Sequence, residues 1–122
     1  MARCDQGYLC RVCHEEVENI TDSELYLRYV IGEIDPETLH LASECHLRCA
    51  PALAQFISDH RFDPLVKLKG PFSQAELDPD FVQFRVSLIN RGYDRLWAIR
   101  RERKKPLTVL EYPLTEFVQK WQ

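Results

Sequence analysis

The sequence has no apolar run approaching the roughly 20 residues that a helix needs to cross a bilayer, so a membrane span is not expected. At its start, Arg3, Asp5 and Gln6 stand where a secretory signal would need an apolar core. Both absences point to a cytoplasmic protein. There is also no Gly-rich phosphate loop, no Ser/His/Asp arrangement, no internal repeat and no low-complexity tract. Phosphate-loop and serine-nucleophile chemistry therefore have no motif to rest on. Cysteine is present but in an odd number, five, which argues against a complete disulfide framework. A reducing compartment would keep these residues as thiols, and metal binding becomes their natural use.

What the chain does hold is the size and mix of one ordinary domain, or of a mini-domain with a helical extension: 122 residues, 45% hydrophobic and 29% charged. Residues 1–60 carry 4 Lys/Arg against 11 Asp/Glu, and residues 61–122 carry 12 against 8, so nets of -7 and +4 make up the overall -3. The net field does not draw nucleic acid, although a second half of net +4 could be drawn to it.

Cys10-Arg11-Val12-Cys13 and His46-Leu47-Arg48-Cys49 each set two metal-capable side chains two residues apart. That spacing lets one tight turn aim both at a tetrahedral ion. Three sulfurs and one imidazole suit Zn²⁺, one per chain, and with three thiolates the set carries a formal charge of about -1 including the ion. Arg11 and Arg48, one inside each pair, are placed to offset it. Cys45 adjoins His46, and a set with Cys45 in place of His46 is the alternative. Four protein ligands leave no open position for water, so the expected role is structural. Structural zinc contributes on the order of 10 kcal/mol in small fingers, enough to decide whether residues 8–60 fold.

Around these pairs, Leu9 to Val17 is expected to form a knuckle, and Thr21-Asp22-Ser23 a loop. The aromatic and β-branched run Leu25 to Ile31 reads as a strand. Gly32 and Asp35-Pro36-Glu37 supply turn chemistry, and Leu39 and Leu41 alternate as in a returning strand. Ala50 to Ile57 reads as a helix with Pro51 in its first turn and Leu53, Phe56 and Ile57 on one stripe.

This order of knuckle, hairpin and helix, with C-x2-C before it and H-x2-C after, resembles the treble-clef zinc fingers. The ligand pattern is similar to one zinc site of a LIM domain. The resemblance covers about residues 8–60 and implies an α+β module in which Cys10 and Cys13 are the knuckle ligands and His46 and Cys49 the ligands at the helix start. The 32 residues between Cys13 and His46 exceed the LIM-type gap, and a second four-cysteine site is absent, so the broader treble-clef class is the comparison.

In the second half, Leu65 to Lys69 reads as an alternating strand ended by Gly70-Pro71. Either Ser73 with Glu76 or Asp78 with Pro79 starts the next helix. From Asp80 to about Arg103, Phe81, Phe84, Leu88, Ile89, Leu96, Trp97 and Ile99 recur at mostly helical spacing, as one helix or as two broken near Asn90-Arg91-Gly92. Pro106 stops it, Leu107 to Tyr112 reads as extended, and a last helix carries Leu114, Phe117, Val118 and Trp121. The expected organisation is a zinc-binding module over 1–62 with a mainly helical extension over 63–122 packed on it, or one continuous domain.

Cys10 to His14 also spells the C-x-x-C-H of c-type haem attachment, against which stand the missing export signal and the unexplained second ligand pair. A dithiol redox centre would need a buried strand leading into a helix N-terminus, which these flanks lack. A zinc deaminase would need an upstream H-x-E and an open coordination position. Arg91, Arg95, Arg100, Arg101, Arg103, Lys104 and Lys105 form a basic face. They suit a solvated helix C-terminus, or a phosphate-contacting patch with Tyr93 and Trp97 placed to stack on bases. His40 and His60 read as ordinary histidines. The expected function is a zinc-stabilised, non-catalytic interaction module that binds another protein. The alternatives are a nucleic-acid-binding or transcription-associated factor using the 91–105 face, and a thiol redox protein using Cys4, Cys10, Cys13 or Cys45. Phe117 and Trp121, packed inward or onto a second copy, leave the oligomeric state open.

Overall fold

Ser23 governs how the first half folds. Its hydroxyl oxygen accepts a hydrogen bond from the Tyr26 N–H at 3.0 Å and so caps helix α1, Glu24–Val30. Asp35 does the same for α2, Pro36–Leu41, accepting from the Thr38 N–H at 2.6 Å with Pro36 in the first turn. The computed structural model describes residues 9–62, 69–102 and 107–118, the side chains of His40 and Val118 excepted. Cys4, all but Lys69 of the strand expected at Leu65 to Lys69, Arg103, Lys104, Lys105 and Trp121 lie outside these residues.

The expected hairpin is therefore two helices, and the α+β treble-clef architecture is corrected to a helical one. Among the described residues, β pairing is confined to two isolated bridges, Leu9 with Glu16 and Ser23 with His46. The physical reason is burial. Leu25, Tyr26, Leu27, Tyr29, Val30 and Ile31 are all buried, so the run is enclosed on nearly every side. A short, wholly apolar run fits a buried strand or a buried helix equally well, and aromatic content alone does not separate them. The caps do. Asp35-Pro36, readable as a turn, is equally a cap followed by a first-turn proline, and here it is the latter.

The helix expected over Ala50–Ile57 is one turn, α3 at Pro51–Ala54, preceded by a 3-10 turn at Leu47–Cys49. Leu53, Phe56 and Ile57 are nonetheless buried together. Asp78, not Ser73, starts the long helix α4, Pro79–Arg101: its carboxylate accepts from the Phe81 N–H at 3.1 Å. Its buried residues Leu88, Ile89, Gly92, Tyr93 and Leu96 make one stripe facing α1 and the chain after α3.

α4 runs unbroken through Gly92 because α1 crosses there. A Cβ on Gly92 would sit 2.4 Å from Ile31 Cγ2 and 3.0 Å from Leu27 Cδ1. The close approach outweighs the roughly 1 kcal/mol helix cost of glycine.

The segment expected to be extended, 107–112, contains a 3-10 turn at Val109–Glu111 closed by a capping box between Thr108 and Glu111. It returns to α1: Tyr29 Oη donates to the Val109 carbonyl at 2.9 Å and the Leu114 N–H to the Val30 carbonyl at 3.0 Å. The last described helix is α5, Thr115–Val118. Its Phe117 ring lies over Gly32, whose φ of +82° and absent Cβ leave the space.

Candidate metal centre

The first ligand pair sits on a knuckle built from local hydrogen bonds. The Cys10 N–H donates to the Glu15 carbonyl at 2.8 Å, the His14 N–H to the Cys10 carbonyl at 2.9 Å, and Leu9 pairs with Glu16. His14 closes the reversal at φ 65°, a left-handed conformation that histidine adopts more readily than most residues. The last letter of C-x-x-C-H thus serves the turn.

The second pair is sewn to the start of α1. The Glu24 N–H donates to the Cys45 carbonyl at 2.8 Å, and Ser23 Oγ donates to Glu44 Oε1 at 2.7 Å while capping the helix. Glu44 is buried, which raises its carboxyl pKa above the ordinary range. The Cys45 N–H meets the same oxygen at 3.1 Å, and the Arg11 N–H donates to the Glu44 carbonyl at 3.0 Å. One buried glutamate therefore ties knuckle, ligand loop and helix together.

These ties bring Cys10, Cys13, His46 and Cys49 into one cluster whose ligand atoms all lie within 4.8 Å of one another. Cys13 Sγ is 3.3 Å and Cys49 Sγ 4.0 Å from His46 Nδ1. A tetrahedral zinc with bonds of about 2.3 Å sets its sulfurs about 3.8 Å apart, so the cluster is within about 1 Å of the size the ion requires. His46 Nε2 lies 2.9 Å from the Glu16 carbonyl oxygen, which can only accept. Nε2 therefore carries the proton and Nδ1 offers its lone pair to the cluster, as in metal-bound histidines.

The sulfurs differ in their electrostatics. Burial alone would raise the Cys10 thiol pKa, but hydrogen bonds from the backbone N–H groups of Cys13, His46 and Val12 outweigh it and bring it down to about 5. Burial, with contacts to the Cys13 and Cys10 sulfurs, raises Cys49 to about 11. Cys45, the alternative to His46, lies beside the cluster with Sγ 3.9 Å from Cys10 Sγ, and it donates to the His46 carbonyl at 3.3 Å. Burial pushes its thiol up to about 12. Arg11 and Arg48 each meet a carboxylate, Glu24 at 3.7 Å and Glu15 at 3.7 Å.

No known protein family, curated protein or solved structure matches the chain. The site's own chemistry carries the functional reading. Among the described residues around the cluster, Val17 is the one fully apolar buried side chain besides the cysteines, and its burial contributes about 1.5–3 kcal/mol. Metal ligation at the strength of a structural zinc is several times larger.

The basic face is partly engaged within the molecule. Arg91 pairs with Glu116, Arg95 donates to the carbonyls of Tyr112 at 2.9 Å and Glu111 at 2.7 Å, and Arg100 donates to Thr21 Oγ1 at 3.0 Å. Tyr93 is buried, and the Arg61 and Arg100 guanidiniums lie 5.4 and 4.9 Å from the Trp97 ring centroid. Arg101 is exposed on the last turn of α4. Among the described residues, no helix is long and apolar enough to cross a membrane.

The residues that sequence reading missed are those behind the ligands. Ser23 stood in an apparent loop, and neither the Glu44 anchor nor the Glu16 carbonyl carries a signal in sequence spacing.

Proposed function

We propose that Cys10, Cys13, His46 and Cys49 hold one structural zinc ion and that the chain is a non-catalytic interaction module that binds another protein. The observation that carries the metal assignment is His46: its Nε2 is committed to Glu16, and its Nδ1 faces two sulfurs of a four-ligand set. Three soft thiolates and an imidazole select zinc over hard-ligand ions. A complete four-ligand shell has no position for substrate water, which favours binding over catalysis.

When bound, zinc supplies cohesion between the knuckle and the loop ahead of α3. The protein's own contribution is to orient His46 through Glu16 and to aim the Val12 and His46 N–H groups at Cys10 Sγ, each at 3.4 Å. Such N–H···S contacts stabilise a thiolate ligand.

Elemental analysis and a visible spectrum of protein purified without added metal test the reading. One zinc per chain and no colour is the expected result. Absent metal, or a haem or iron–sulfur spectrum, would overturn it. Slow thiol modification of the metal-loaded form is also expected, and a fast, low-pKa thiol there would move the chain to redox chemistry.

A further inference from the structure

Beside the metal cluster lies an open cleft of about 520 Å³, walled by Arg11 of the knuckle, Arg28 of α1, Arg85 of α4 and the turn from Cys49 to Leu53. Its volume falls in the range of ligand clefts, about 300–1,000 Å³, and is well above what a small inorganic anion fills.

The cations around it are not saturated. Glu24, whose side chain is 9% exposed, faces Arg11 at 3.7 Å and Arg28 at 3.9 Å, and those two side chains are 46% and 40% exposed. These separations exceed the roughly 2.7–2.9 Å of a charge-assisted hydrogen bond, so Glu24 attracts both guanidiniums without occupying their donors. Among the described residues, Glu24 Oε1 meets no hydrogen-bond donor. Glu33 meets Arg28 at 3.6 Å and pairs closely with Arg85. Lys69 also lines the cleft, so four cations face two carboxylates. Among the described residues, Arg11 Nη1 donates to the Ser43 carbonyl at 3.3 Å and Arg85 is engaged by Glu33, and the other N–H donors of the half-exposed Arg11 and Arg28 face the cleft.

The remaining wall is apolar and held in place. Phe72 is 71% exposed, yet its carbonyl accepts from Gln55 Nε2 at 2.9 Å, and the buried Gln55 also fixes Gln74 through its N–H at 2.8 Å. Pro51 and Leu53 line the same cleft. An exposed ring lining the same cleft as guanidiniums is a feature of recognition surfaces, where aromatic and Arg anchors dominate.

Taking the interaction-module reading as its basis, we infer that this cleft binds an acidic peptide segment of a partner protein, one carboxylate reaching Arg11 and Arg28 and a neighbouring apolar side chain resting on Phe72. A peptide fits better than nucleic acid. Glu24 and Glu33 stand among the cations and would repel a phosphodiester chain with its charge at every unit, whereas a carboxylate beside an apolar side chain matches the mixed lining.

The test is fluorescence anisotropy on the intact, as-purified protein with labelled, acetylated and amidated hexapeptides that alternate Asp or Glu with Leu or Phe. Binding should weaken between about 50 and about 300 mM salt. It should fall about tenfold or more in Arg11→Gln/Arg28→Gln. Asn/Gln analogues of the peptides should not bind. A Phe72→Ala variant, altering an exposed ring, should also weaken binding, and it keeps the test valid if the double variant fails to fold. No panel member binding below about 1 mM, binding indifferent to both variants, or equal displacement by inorganic phosphate or oligothymidylate would overturn the inference. Metal content is measured on the same samples. Peptide binding without zinc would sink the metal assignment alone, and zinc without peptide binding would sink the cleft alone.

Discussion

His46 donates from Nε2 to the carbonyl oxygen of Glu16 at 2.9 Å, and Glu16 is paired with Leu9 across the knuckle that carries Cys10 and Cys13. One hydrogen bond thus sets the imidazole tautomer and couples the two ligand pairs before any ion binds. Removing the ring should cost metal through both routes. If the cluster holds zinc as proposed, His46→Gln and Cys13→Ser should each lose most of it, whereas Cys45→Ala, outside the cluster, should keep one zinc per chain. Elemental analysis of the three purified variants decides it. Zinc retained by His46→Gln and lost by Cys45→Ala would exchange the roles of the two neighbours.

Metal removal should unfold locally. The large core joins α1, the chain after α3 and α4, while the cluster's own core is small. Chelation should therefore expose amides of residues 9–24 and 44–50 to hydrogen exchange and leave the centre of α4 protected. At metal 100 times its Kd the stabilisation is about 2.7 kcal/mol, and it should fall in acid as protons compete for the thiolates. Global loss of protection on chelation would show that the helical core depends on the ion as well.

Asp59 gives the fold an acid limit. Arg61 donates to its carboxylate from Nε at 3.0 Å and Nη2 at 2.7 Å, and this pairing lowers the Asp59 pKa to about 2 against the opposing effect of burial. The folded value lies below the ordinary 3.8, so the stabilisation is fully present above that value and is lost as pH falls through about 2. Asp59→Asn should flatten the stability–pH curve across that window and leave the rest of its shape unchanged. Denaturant titrations at closely spaced acid pH values would show it, and an unaltered slope would rule it out.

Gly92→Ala should destabilise, although alanine is the better helix former. The new methyl would meet Ile31 Cγ2 at 2.4 Å, and a β-branched side chain has little rotamer freedom with which to yield. Overpacking of about 1–3 kcal/mol should exceed the roughly 1 kcal/mol propensity gain. Thermal or denaturant unfolding of Gly92→Ala checks the sign, and adding Ile31→Ala should reveal favourable coupling between the two changes.

Arg95 and Arg101 should separate structure from surface. Arg95 holds two carbonyls of the 107–112 segment, so Arg95→Gln should cost about 1–3 kcal/mol of stability. Arg101→Gln, on an exposed last turn, should change stability by less than about 0.5 kcal/mol. Parallel urea titrations test both. If oligonucleotide binding is found, its dependence on Arg101 against Arg95 tells a surface contact from an indirect structural effect.

The sequence by itself determined what local geometry can settle. The two-residue spacing in each ligand pair makes a turn whose side chains converge, and the apolar spacing from Phe81 to Ile99 makes a helix with its start at Ser73 or Asp78. Tertiary structure decided the rest. Leu25 to Ile31 is apolar enough for a buried strand or helix, and Ser23 caps it as a helix when the Glu44 loop closes over that end. Asp35-Pro36 reads as a turn or a cap until the chain beyond it is placed. Cys45 and His46 are neighbours in sequence, and only the position of the Glu16 carbonyl turns the imidazole toward the sulfurs. Arg95 reads as a surface cation until a segment 16 residues away in sequence offers it a carbonyl. Long-range hydrogen bonds and close helix crossings leave no mark in local spacing, because their partners are chosen by the folded chain.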